Sequence, residues 1–206
     1  MPPSPRNRSD PDRRRADILE HATGLIGERG YYGFTVQELA RRCGLSNPGL
    51  LYYFPSKHDL LIGVLDALQA DETAAMTPIV EAALQKSSDA AEDRASVLNV
   101  LRMIVARAVE RPLSGRLLAA LQTESLDAGH PAHSWWRARE TVLLNLFVKL
   151  VDGHVINPAA SARQLLAMMD GLCLHWLRAD QGFDVVSIWE DALIRLLPEL
   201  HKADAG

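Results

Sequence analysis

The stretch from Thr35 to Lys57, "TVQELARRCGLSNPGLLYYFPSK", is punctuated so densely that it leaves room for only two short helices joined by a tight turn. Thr35 is a good N-cap for "VQELARRC", which Gly44 closes. Ser46 caps "NPGLLYYF", with Pro48 in the first turn, where a missing N–H costs little, and Pro55 ends it. Two short helices around a glycine-containing turn are the elements of a helix-turn-helix. Ala40 is small where the second helix must approach closely, and Gly44 can take a left-handed conformation. Val36, Leu39, Leu45 and Leu50 can face inward. With Leu50 buried, the helical period pushes Asn47, Pro48, Leu51 and Tyr52 to the outer face. In a DNA reader that face enters the major groove, with its N-terminal residues nearest the bases.

The rest of the chain has no clean period-two alternation and reads as helix broken by Gly, Pro and Asx. Residues 1–9 form a Pro- and Arg-rich arm, expected to be disordered. Asp10 is a candidate cap for a helix with Pro11 at its first position; Ile18, Ala22, Leu25 and Ile26 form its stripe, and Gly30 ends it. Ser56 caps a long helix toward Met76, with Pro78 as the expected limit. Further helices are expected over Asp89 to Glu110, Leu113 to Leu126, Pro131 to Val151, Pro158 to Asp180 and Val185 to His201. The expected fold is all-α, about nine helices, three short ones in front and longer ones behind, with no repeat of fixed period.

Composition narrows the function classes. Of the 206 residues, 48% are hydrophobic, ample for a core, yet no apolar run reaches the roughly 18 to 20 residues that span a bilayer. "MPPSPRNRSDPDRRR" lacks the apolar segment of a secretory signal, and two distant cysteines, Cys43 and Cys173, suit a reduced, cytoplasmic setting. The net charge of −4 is uneven: residues 1–57 hold nine Lys/Arg against six Asp/Glu, the remainder thirteen against twenty. A basic head on an acidic body suits a nucleic-acid binder with a separate regulatory part.

The segment "ILEHATGLIGERGYYGFTVQELARRCGLSNPGLLYYFPSKHDLL", Ile18 to Leu61, resembles the tetracycline-repressor (TetR) family of bacterial transcription regulators. The order and spacing of Gly30-Tyr31, Thr35-Val36, Leu39-Ala40, Gly44-Leu45-Ser46, Tyr52-Tyr53-Phe54 and Lys57 carry the resemblance, over about a quarter of the chain. It implies a helix-turn-helix DNA-binding domain over residues 10–57 and a ligand-binding and dimerisation domain over 58–206. It further implies that Thr35 and Gln37 contact DNA backbone or a base edge and that Asn47, Pro48 and Gly49 open the recognition helix. Tyr52 and Tyr53 would touch phosphates or thymine methyls, and Lys57 would clamp a phosphate; Tyr53 reads equally well as core. The chain departs from the family pattern at Leu51, where a tyrosine is common, and at Gly49, where Thr or Ala is common. Leu51 cannot hydrogen-bond a phosphate, so either Tyr52 takes over that contact or Leu51 packs on a thymine methyl.

The last two helices are too apolar for one buried stripe each. Leu165, Met169, Leu172, Trp176, Trp189, Leu193, Leu196 and Leu197 are therefore expected at a homodimer interface, an isologous four-helix bundle in which Gly171 permits a close crossing. The middle helices, by the resemblance, would enclose a small-molecule effector; the candidate lining is Leu101, Met103, Leu117, Leu121, Trp135, Trp136 and Phe147, which suits an apolar or aromatic ligand.

Against these stand blander readings. Arg6, Arg8 and Arg13 to Arg15 form either a minor-groove arm or a solvated tail, Arg41 and Arg42 a solvated helix face, and Cys43 a small buried hydrophobe. His130 and His133 straddle Pro131 and need not share a face, so no metal is expected, and His175 reads as packed or interfacial. No phosphate loop, nucleophile elbow or Cys-x-x-Cys pair appears, so neither enzyme activity nor a cofactor is expected. The leading expectation is a homodimeric repressor released from a palindromic double-stranded DNA operator by a small effector. The alternatives are an all-helical ligand carrier or enzyme with a DNA-binding-like head, or an activator answering to a protein partner.

Overall fold

In the computed structural model, which describes residues 11–85 and 87–201, the chain forms helices joined by short loops. They are α1 (Pro11–Arg29), α2 (Val36–Arg42), α3 (Asn47–Tyr53), α4 (Lys57–Leu84), α5 (Ala90–Glu110), α6 (Pro112–Glu124), α7 (His133–Val151), α8 (Pro158–Arg178) and α9 (Val185–Leu196), followed by a 3-10 turn, Pro198–His201. The arm over residues 1–9 and the Asp10 cap lie outside the described residues. The expected all-α architecture is the one observed, and among the described residues there are nine α-helices and no strand. No helix of the described residues is long and apolar enough to cross a membrane.

The caps act where the sequence places them. Thr35, Ser46 and Ser56 accept the backbone N–H groups of Glu38, Gly49 and Asp59 at 3.1, 3.1 and 3.0 Å. Each satisfies a donor that the first helical turn leaves without a partner. Gly44 closes α2 with φ of +65°.

Several boundaries differ from the expected ones. Helix α4 does not stop before Pro78 but runs through it to Leu84. The proline removes one hydrogen bond, to the carbonyl of Ala74, but Met76, Ile79, Val80 and Ala83 all pack into the body core, and that burial carries the helix onward. Helix α7 begins at His133 rather than Pro131, because the preceding loop closes on itself: Asp127 accepts the N–H of Gly129 at 2.9 Å and His130 Nδ1 that of Ala132 at 3.1 Å. Helix α9 ends at Leu196, since Leu197 precedes Pro198 and adopts a non-helical φ of −131°. Arg13, Arg14 and Arg15 are not part of a flexible arm; they belong to the first turns of α1.

Two cores result. The first joins Ile18, Ala22, Leu25 and Ile26 of α1 to Leu39 and Leu50 of the helix-turn-helix, Leu60, Leu61 and Leu65 of α4, and Leu117 and Leu121 of α6. The second gathers the end of α4 with α5, α7, α8 and α9 around Trp189, whose indole N–H donates to the Leu101 carbonyl at 2.9 Å. Helix α1 packs on α6 more extensively than on its neighbours in the head. A Cβ on Gly27 would lie 3.0 Å from the backbone nitrogen of Leu117, so the absent side chain sets how closely the two helices approach.

Because Pro78 is exposed and its neighbours already hold α4 together, Pro78→Ala is expected to stabilise the protein by about 1 to 3 kcal/mol, read from the midpoint of urea unfolding.

Candidate nucleic-acid interface

Leu50 is fully buried, and this one anchor turns α3 so that Asn47, Pro48, Leu51 and Tyr52 face solvent. Tyr52 is 82% exposed and Leu51 39%, while Tyr53 leans on the first core and meets Tyr52 edge to face with centroids 5.3 Å apart. Helix α2 presents Gln37 beside it, also exposed. Thr35 is exposed as well, with its oxygen accepting the cap bond and its hydroxyl hydrogen still able to donate. The expected outer face of the second helix is thus assembled, with Gly49 at its margin and half-buried.

Lys57 packs against the loop before α2. Its ammonium donates to the carbonyl of Phe34 at 2.7 Å and sits 4.3 Å over the Phe34 ring and 4.7 Å over that of Tyr31. Desolvation lowers its pKa below the ordinary lysine value, and the charge of Glu124 offsets part of this. It latches α4 to the loop before α2. Three other cations around the turn are also engaged. Arg29 pairs with Glu38 and Arg42 with Glu28, both at 2.9 Å, and Arg15 lies 4.9 Å over the Phe54 ring. The hydrogen bond from Arg42 holds the Glu28 carboxyl below its usual range.

A joint between head and body was not apparent in the sequence. Glu124, the last residue of α6, accepts the backbone N–H of Tyr31 at 2.9 Å, just after α1 ends. His130 is buried beside it, edge-on to Tyr31, with Nε2 3.4 Å from the same carboxylate. His130 Nδ1 accepts the backbone N–H of Ala132, which leaves Nε2 as the ring nitrogen on the side of Glu124. Gly30 sits opposite with φ of +70°, and a Cβ there would strike Glu124 Oε1. The only sequence signal was the closeness of Gly30-Tyr31, which a helix end alone explains.

The expected body sites are redistributed. Of the effector-lining candidates, Leu117, Leu121, Trp135 and Trp136 belong to the first core, whereas Leu101 and Phe147 belong to the second; Met103 is half-buried on α5. The polar residues at the junction of α4, α6, α7 and α8 were missed: Gln122 donates to Asp170 at 3.0 Å, and Arg139 to Glu72 at 2.6 Å. Burial raises the Asp170 carboxyl, and burial followed by the charge of Asp170 pushes the Cys173 thiol up to about 11.

Among the dimer candidates, Leu165, Trp176, Trp189, Leu193 and Leu197 are buried within the chain's own core. Their burial by α5 and α7 accounts for much of the apolar surplus in α8 and α9. Met169, Leu172 and Leu196 remain half-buried. The face left open is a groove of about 490 Å³ lined by Gln164, Ala167, Met168, Gly171, Leu172, His175 and Leu196. Its α8 members at 164, 168, 171 and 175 recur at helical spacing, a stripe visible in the sequence but overshadowed there by larger residues.

The geometry is that of a helix-turn-helix with an exposed second helix. Residues 18–64 match the family described as bacterial regulatory proteins, tetR family. The match covers the helix-turn-helix head and the start of α4, so the likeness to that family is one of the head. The HTH-type transcriptional regulator YuxN of Bacillus subtilis (strain 168), itself uncharacterized, is 41% identical over 49 residues, 24% of this chain. That match spans only 17% of YuxN's length. The fatty acid metabolism regulator protein of the same organism is 21% identical over 197 residues, covering 90% of this chain and 94% of that protein. The crystal structure of AibR in complex with isovaleryl coenzyme A and operator DNA superposes with a TM-score of 0.62 at 20% identity, over 89% of this chain and 97% of that one. At such identity the likeness is one of fold.

Gly30→Ala is expected to destabilise the protein by about 1 to 2 kcal/mol or more, from the left-handed backbone and the collision with Glu124. In a Glu124→Ala background the same change should cost less, because the collision is gone; chemical denaturation of the four proteins of the cycle measures the difference.

Proposed function

We propose that the protein is a homodimeric transcriptional repressor that binds a palindromic or near-palindromic operator and leaves it when a small apolar effector binds the body. The carrying observation is the outward face of α3: Leu50 locks the helix into the head, and Asn47, Pro48, Leu51 and Tyr52 stand clear of it. Thr35 and Gln37 flank that face and are assigned to backbone and base-edge contact. Lys57 is assigned to holding the frame rather than to gripping a phosphate, since its ammonium is committed to Phe34.

A single seven-residue helix reads too few base pairs for useful selectivity. Two copies related by a twofold axis would meet half-sites roughly 34 to 36 Å apart, or a multiple of that. The open stripe on α8, with exposed Ile188 and half-buried Leu196 on α9, supports a partner subunit there. The space around Gly171, with no atom within 4 Å of a Cβ placed there, is room in which a second helix could cross.

The effector reading draws support from relatives: one is named a fatty acid metabolism regulator, another is crystallised with isovaleryl coenzyme A. In this chain the candidate region is the junction of α4, α6, α7 and α8, where Gln122, Arg139 and Asp170 could orient a polar group amid apolar walls. Thermodynamically the effector must bind the state that does not fit DNA more tightly, and DNA must weaken effector binding by the same factor. Helix α6 is the physical link, because it packs on α1 and holds Tyr31 through Glu124.

In fluorescence anisotropy with a selected operator, affinity is expected to fall about 10³-fold or more between about 50 and 200 mM salt. Met168→Arg, a change on the open stripe, should give monomers in sedimentation velocity and lose about 100-fold or more in operator affinity. Flat salt dependence at full-length operator would refute DNA binding, and an unchanged dimer would refute this face as the interface.

A further inference from the structure

Helix α3, Asn47–Tyr53, contains no Asp, Glu, Lys, Arg or His. By helical period its exposed face has Pro48 and Leu51 at the centre, with Asn47 on one edge and Tyr52 on the other. The helix that would lie deepest in the groove is therefore apolar at its middle and carries one amide and one phenol at its margins. The nearest basic groups are on other elements or already engaged: Arg42 with Glu28, Arg29 with Glu38, Lys57 with Phe34. Arg41 and His58, both exposed, sit on α2 and α4, flanking α3.

The base edges answer differently to such a face. Guanine presents two acceptors in the major groove, N7 and O6, which are met best by the paired donors of Arg or Lys. Cytosine presents an amino donor, met by a carboxylate. The helix has neither, so a G·C pair beneath its centre would lose its water and gain no partner. Thymine presents a C5-methyl group, which an apolar side chain covers without loss, and adenine presents the N6/N7 pair that an Asn amide fits in bidentate fashion. Gly49 reinforces the arrangement. A Cβ there would lie 3.1 Å from Ser46 Oγ, the atom that caps the helix, so glycine keeps the cap undisturbed.

Resting on the DNA-binding reading above, we propose that this recognition helix selects A·T pairs at the centre of each half-site, chiefly by burying a thymine methyl against Leu51 and Pro48, with Asn47 reading a neighbouring adenine. Sequence choice is thus made largely by shape and methyl contact, and charge is left to the flanking elements and the backbone.

The test uses the full-length protein. Bound duplexes are selected from random DNA, and the half-site is then remade with each thymine replaced in turn by uracil, which removes only the methyl group. At least one position is expected to lose about fourfold in affinity per half-site, the worth of one buried methyl. Leu51→Ala should bind the thymine duplex more weakly and no longer distinguish it from the uracil one, whereas Leu51→Met should keep the distinction. Leu51 is 39% exposed, so the melting temperature of both variants should stay close to that of the parent. A selected half-site with G·C at its centre would overturn the proposal. So would uracil duplexes that bind as tightly as thymine ones, or discrimination that survives Leu51→Ala. Lack of binding to any duplex at low salt is a separate result, and it would overturn the DNA-binding reading itself.

Discussion

Helix α1 is buried on two sides, and the arrangement of the head depends on it. One side of its stripe receives Leu39 and Leu50 of the helix-turn-helix; the other receives Leu117 and Leu121 of α6. A side chain is missing at Gly27 where α1 and α6 come closest, so the two backbones lie nearly in contact. Interiors packed to this density transmit displacement rather than absorb it. Helix α1 is thus the element on which both α6 and the helix-turn-helix pack. The Glu124 bond to Tyr31 and the Lys57 bond to Phe34 secure both ends of the loop between α1 and α2, so the loop offers little slack.

The recognition helix shows how little of its order is its own. Seven residues with a glycine and a proline would not hold a helix in water. It is held by the Ser46 cap, by full burial of Leu50, and by the short turn through Gly44. The same three constraints choose which residues point outward, so stability and the presented chemistry have a common origin.

Much of this was legible in advance because it is local. Caps, breakers and helical period act within four or five residues, and they located α2, α3 and the turn between them, together with the outward face at Asn47, Pro48, Leu51 and Tyr52. Local rules failed where a distant partner decided the outcome. Pro78 signals a helix end, but the body core overrides it. The contacts of Lys57 with the Phe34 carbonyl and two aromatic rings likewise join residues far apart in sequence. The burial of Trp176, Trp189, Leu193 and Leu197 within the chain depends on how many helices cover α8 and α9, which helical spacing does not reveal.

Periodicity, capping and charge distribution in the sequence alone thus determined an all-helical chain with a basic helix-turn-helix head, since each is a property of neighbouring residues. Which apolar faces are shared between helices was decided only by the tertiary structure. So were the joining of head to body through Gly27, Tyr31 and Glu124, and the narrowing of the open surface on α8 to a stripe around Met168, Gly171 and Leu172. Burial is collective: a leucine carries the same hydrophobicity wherever it stands, and only the assembled neighbours determine whether it faces the interior, a second subunit or water.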